Sequence, residues 1–218
     1  MRSHARVGFA EKITCSEGDR TRPVYFIHRL SPAIGMATAR TGSFYLTETI
    51  TLPAGSASGT RVQGVIDVGA YVNVGTSQAI AIDSVDFVYQ VGADFGSDGK
   101  SMLQADGAIG VQLTDLNPGT AFVRADDQSL IASGSLSIDQ TNNVVTHVSD
   151  IYPDNYGPAA LSESFMVVND TLHLVAGPDL SAVGTASVYV TARIRARIVK
   201  LSSKDWMAIA IQSTASDN

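Results

Sequence analysis

The chain has 218 residues, 44% hydrophobic and only 17% charged, which allows a sizeable packed core and excludes a disordered polyelectrolyte. No apolar run approaches the roughly 20 residues a helix needs to cross a bilayer, and MRSHARVGFAEKITC at the start has charges where a signal peptide has its apolar segment, so a soluble, non-exported protein is expected. The formal charge of -6 is unevenly spread: seven basic against three acidic residues in 1–40, three against sixteen in 41–190, and five against two in 191–218.

The single Cys15 allows no intrachain disulfide. A short helix is expected around Pro32 to Arg40, and from residue 44 the period-two alternation of half-buried strands takes over. FYLTETITL, Phe44 to Leu52, puts Phe44, Leu46, Ile50 and Leu52 on one side and Tyr45 with three threonines on the other, then breaks at the small-residue turn PAGSASG. Thr60 to Val74 predicts one bent strand or two short ones, with Gly64 and Gly69 as bulge sites. Gln78 to Val91, rich in β-branched and aromatic residues, predicts a strand that ends at the loop GADFGSDGK.

Further strands are predicted near 108–113, 129–138 and 143–148. In MVVNDTLHLV, Asn169 and Asp170 tolerate the left-handed backbone of a two-residue turn, which predicts a tight hairpin. Ser187 to Lys200 is the last long strand. After it, SSKDWMAIAI offers a serine cap for a helix, whereas AIAI also fits a strand. No repeat of 20 to 50 residues interrupts this pattern. The expectation is an all-β fold: an antiparallel β-sandwich or jelly-roll barrel of about eight to ten strands with few short helices. The predicted organisation is a basic, partly irregular segment over 1–40, one barrel domain over 41–201, and a short helix or strand with a tail over 202–218.

Chemistry-bearing motifs fall short. DFGSDGKS, Asp94 to Ser101, ends like a phosphate loop, but Asp94 stands where the first glycine is required and no helix is predicted to follow. The same loop lacks calcium-loop register, with Gly96 at the third position and Ala105 where a bidentate Glu should be. His4, His28, His147 and His173 have no local metal-site spacing. In GSASG, Ala57 takes the place of a nucleophilic serine. Asp83, Asp86, Asp126, Asp127, Asp150 and Asp154 are nominal members of a hydrolytic carboxylate pair, yet on so acidic a body solvated carboxylates are expected. No catalytic residue, metal ligand or cofactor is assigned, and the chain is expected not to be an enzyme. Tyr152 and Tyr156 in IYPDNYGP are candidate loop contacts for a glycan or protein.

In SVYVTARIRARIVKL, Ser187 to Leu201, even positions form an apolar face while Tyr189, Thr191, Arg193, Arg195 and Arg197 alternate with them. Same-face neighbours on a strand lie about 6.5–7 Å apart, so three guanidinium groups make a ladder near 14 Å long. They repel unless an anion is near. Arg193, Arg195 and Arg197 are therefore candidate subunit-interface or polyanion contacts, with carboxylates of a neighbouring strand or another subunit favoured over phosphates.

The strand series from FYLTETITL to SVYVTARIRARIVKL, the small-residue loops such as PAGSASG and the basic N-terminal segment together resemble the single jelly-roll capsid proteins of icosahedral viruses. The upright-barrel type of internal-membrane viruses of archaea or bacteria is the nearest pattern. The resemblance implies a structural subunit that self-assembles into a virion shell with other copies and other capsid proteins. It also implies basic ends contacting genome or internal membrane, passage through the host cytoplasm during assembly, and no small-molecule substrate. A noncatalytic β-sandwich binding module is the alternative.

Overall fold

A computed structural model describes residues 37–93, 99–148 and 164–215, all in one compact unit, Ala33–Asn218. Its strands are β1 (Thr38–Ala39), β2 (Phe44–Leu52), β3 (Val62–Asp67), β4 (Gln78–Val91), β5 (Gly107–Thr114), β6 (Leu130–Asp139), β7 (Val144–Val148), β8 (Phe165–Val167), β9 (Thr171–Asp179) and β10 (Val188–Lys200). One helix, α1 (Ser203–Ala215), follows, and short 3-10 turns lie at Val74–Thr76 and Gly99–Met102.

The pairings are nested. β2 runs antiparallel to β10, β3 to β9, β4 to β8 and β5 to β6, so the chain is one long hairpin doubled back on itself. Two more antiparallel contacts, β10 with β4 and β9 with β5, wrap that hairpin into two sheets. Their orders are β2-β10-β4-β8, extended by β1 at one end of β10, and β3-β9-β5-β6-β7. This is jelly-roll connectivity, and it answers the all-β expectation in both class and strand number.

The alternation read in the sequence decides which residues fill the space between the sheets. Ile50 and Leu52 of β2, Ile80 and Ile82 of β4 and the even positions Val188 to Ala196 of β10 face Ile109, Val111 and Leu113 of β5 and Leu172 and Leu174 of β9 in one buried cluster. Burial of each large aliphatic side chain is worth roughly 1.5–3 kcal/mol, so the fold rests on this cluster rather than on its few ion pairs. Packing across the sheets is close at Gly134, where a Cβ would meet Phe87 Cδ2 at 2.9 Å.

Three sequence expectations are corrected. Asn169 and Asp170 do not turn a hairpin: β8 hydrogen-bonds to β4 in one sheet and β9 to β3 and β5 in the other, so these residues carry the chain across the barrel. Gly64 pairs with Leu174 in unbroken register, and Gly69 lies beyond the end of β3, so neither is a bulge. The register shifts instead fall opposite Arg195/Ala196 and at Leu113/Thr114. Around Pro32 to Arg40 the described part is extended, Thr38 and Ala39 pairing with Lys200 and Val199, because an edge of β10 is open to them.

The segment after β10, which the sequence leaves open between helix and strand, is helical. Ser202 Oγ accepts from the Asp205 backbone N–H at 3.1 Å and donates to Asp205 Oδ2 at 2.7 Å, a reciprocal cap that selects helix. Trp206, Ile209 and Ala210 of α1 pack against a second cluster formed by Ala79, Ala81, Val168, Val199 and Leu201. One end of the outer surface of the β10 sheet is thereby closed over.

Candidate interaction face on the arginine strand

The register places the odd residues of β10 in rows with outward residues of β2 and β4. Tyr189 lies between Thr51 and Gln90, Thr191 between Thr49 and Val88, Arg193 between Thr47 and Asp86, and Arg195 between Tyr45 and Ser84. Cross-strand partners share a face, so these rows form one surface of threonine, tyrosine and arginine. The Thr49 and Thr191 hydroxyls are 2.9 Å apart, which fixes the centre of the surface.

The three arginines do not form an equivalent ladder. Arg193 is exposed, and its guanidinium carbon lies 5.4 Å from the centroid of the Tyr45 ring, a cation–π distance that holds the head group over the β2 edge. Tyr45 itself is 56% exposed. Arg195 is half-buried, and its Nε is shielded from solvent without a hydrogen-bond acceptor among the described residues. A buried donor without an acceptor costs about 1–3 kcal/mol.

Arg197 is different again. Its Nη2 donates to Asp83 Oδ1 at 2.6 Å, and Ser164 Oγ donates to the same oxygen at 2.7 Å. Asp83 is 3% exposed. It arrives there because β4 carries one extra residue: Arg195 pairs with Ser84 and Ala196 with Ile82, skipping Asp83. The bulge turns the carboxylate toward Arg197. A carboxylate on the adjacent strand therefore ion-pairs with Arg197, whereas Asp86, opposite Arg193 in the register, makes no ion pair among the described residues, and Arg195 has no carboxylate opposite it. Tyr45 and Asp83 are the participants that strand periodicity alone does not single out, although Tyr45 is visible as the one aromatic residue on the threonine face of FYLTETITL.

The other sequence candidates scatter. Tyr152, Tyr156, Asp150, Asp154, Asp94, Asp98, Cys15, His4 and His28 lie outside the described residues. His147 stacks edge-on against Tyr89 with centroids 5.7 Å apart, and burial holds the His173 imidazole below the usual histidine range. Among the described residues no group of three His, Cys, Asp or Glu side chains could hold a metal ion. Asp127 Oδ1 caps the Ser129 backbone N–H at 2.8 Å.

Asp115, at the end of β5, is the other buried acid. It is 3% exposed, and among the described residues Oδ1 has no hydrogen-bond partner and Oδ2 has only Asn169 Nδ2 at 3.4 Å. Burial pushes its carboxyl up to about 7, opposed by its own backbone N–H and assisted by the negative charge of Asp127. Asn169 Nδ2 also donates to the Asp115 carbonyl at 2.9 Å, so the residue ties the start of the β5–β6 loop to the crossover between β8 and β9.

No protein-family profile matches the chain, and no curated protein sequence matches it. Among solved structures it is similar to a chain of Desmodium yellow mottle tymovirus, with 8% identity over 93% of this chain and 98% of that one and a TM-score of 0.27. Two structures of turnip yellow mosaic virus also align. One has 9% identity over 74% of this chain and 98% of that one with a TM-score of 0.25, and the other 9% over 84% and 93% with a TM-score of 0.27.

Proposed function

We propose that the protein is a structural subunit that assembles, with copies of itself and other shell components, into an icosahedral virion shell. The observation that carries the proposal is the surface built by β2, β10 and β4. Its rows from Tyr189 to Arg195 hold four threonines, two tyrosines, two arginines and one each of glutamine, valine, aspartate and serine, with no lysine or glutamate. Protein interfaces are enriched in Tyr and Arg and depleted in Lys and Glu, whereas a face kept wet shows the opposite bias. The jelly-roll connectivity is compatible with the reading, since two packed sheets offer broad lateral faces, and the fold by itself leaves the function open.

In this reading Arg193 and Arg195 sit at a subunit contact, while Arg197 is spent inside the subunit on Asp83. The barrels stand upright in the shell, as in internal-membrane viruses, and the basic ends face genome or membrane inside the particle after assembly in the host cytoplasm.

Light scattering and sedimentation of the purified chain across protein concentration, salt and pH test this directly. Concentration-dependent growth to particles of uniform size is expected. A chain that stays monomeric throughout, and that a glycan array shows binding one ligand selectively through Tyr152 or Tyr156, would instead be a noncatalytic binding module.

A further inference from the structure

We infer that the anion completing the Arg193–Arg195 pair is the Asp67–Asp170 corner of a second copy of this chain, an inference that rests on the assembly reading above. The basic half of the contact is preformed. Arg193 is held against the Tyr45 ring, and Arg195 lies one step along the same face with its Nε shielded and without an acceptor among the described residues. The terminal nitrogens of Arg195 are not shielded in this way, and they are the part of the guanidinium a partner carboxylate would meet.

The acidic half lies at the end of β3. Val68 N–H donates to the Asp170 carbonyl at 2.8 Å, bringing the crossover against the chain leaving β3. A Cβ placed on Gly69 would lie 3.2 Å from Asp67 Oδ1 and 3.6 Å from the Asp170 Cβ, so both side chains flank one bare backbone position. Each is exposed. Asp67 Oδ1 accepts from the Gly69 N–H and Asp170 Oδ1 from Thr171 Oγ1, and neither carboxylate is ion-paired among the described residues. Two exposed carboxylates flanking one glycine can engage two arginines that are same-face neighbours about 6.5–7 Å apart, and the glycine between them lets a partner approach.

Because the two halves are different surfaces of the same chain, the contact is heterologous, and repeating it propagates a ring or lattice rather than stopping at a dimer. Phosphate is the competing anion. The separation favours carboxylate: the body from 41 to 190 holds sixteen acidic against three basic residues, so a copy of this chain supplies the complementary charge at the required concentration.

The test is a charge swap in the full chain, read by particle yield in sedimentation. Arg195→Glu alone and Asp170→Arg alone should each cut the yield at least tenfold. Mixing the two variants, or combining both changes in one chain, should restore it, since each faulty face then meets its complement. Arg193→Glu, at an exposed position, replaces Arg195→Glu if the latter loses its cooperative thermal melt. Loss of yield without rescue, or an unaffected Asp170→Arg, overturns the inference while wild-type assembly keeps the shell reading intact. Binding of a duplex oligonucleotide that disappears in Arg195→Glu without loss of particles assigns the arginines to phosphate and also overturns it. A wild-type chain that never assembles defeats both.

Discussion

Asp115→Asn should remove the part of the stability that falls as pH rises from about 4 to 7. The carboxyl is raised from 3.8 to about 7 in the folded chain, so between those values the folded state keeps a proton that the unfolded chain has released. Stability from this group is full below about pH 4, falls as pH rises through the window, and levels off above about 7. At 1.36 kcal/mol per unit the loss is on the order of 4 kcal/mol. An amide removes the ionisation but leaves an N–H where Oδ1 has no partner, which returns about 1–2 kcal/mol of that gain. The variant should therefore be more stable than wild type by roughly 2–3 kcal/mol at pH 8 and about 1–2 kcal/mol less stable at pH 4. Urea unfolding of dilute protein from pH 4 to 8 measures this, and a wild-type and variant sharing the same slope between pH 5 and 7 would refute the burial argument.

Two further changes test the sheet that carries the arginines. Breaking the Arg197–Asp83 pair by Arg197→Met leaves a carboxylate that is 3% exposed without its cation and should cost about 3–5 kcal/mol. Adding Asp83→Asn should recover part of that in denaturant unfolding. Gly134→Val places a side chain against Phe87 and should lower stability by about 1–3 kcal/mol through overpacking of the two sheets, seen as a fall in thermal midpoint, with Phe87→Leu as the compensating change.

Much of this architecture is legible in the alternation itself. The two faces of β10 follow from period-two patterning, since a strand with one wet side must alternate, and the bounds of β4 follow from its β-branched and aromatic content. Pairing is less legible. Asn169-Asp170 has the chemistry of a turn, yet whether the flanking strands join each other or opposite sheets depends on partners far away in sequence. The bulge at Asp83 is hidden for the same reason: an extra residue exists only relative to the strand beside it. It decides that Arg197 is neutralised within the subunit while Arg195 is not, which no spacing of three arginines could tell. For SSKDWMAIAI the apolar pattern fits helix and strand alike, and the Ser202–Asp205 cap with Trp206 against Val199 and Leu201 settles it as helix.

The central claim is that this barrel is built to stand beside copies of itself. Electron cryo-microscopy of the assembled wild-type chain is the direct measurement. The account predicts closed particles in which the β2–β10–β4 surface is buried at every lateral contact, with Arg193 and Arg195 against carboxylates of the next subunit. Particles in which that surface faces open solvent would contradict it.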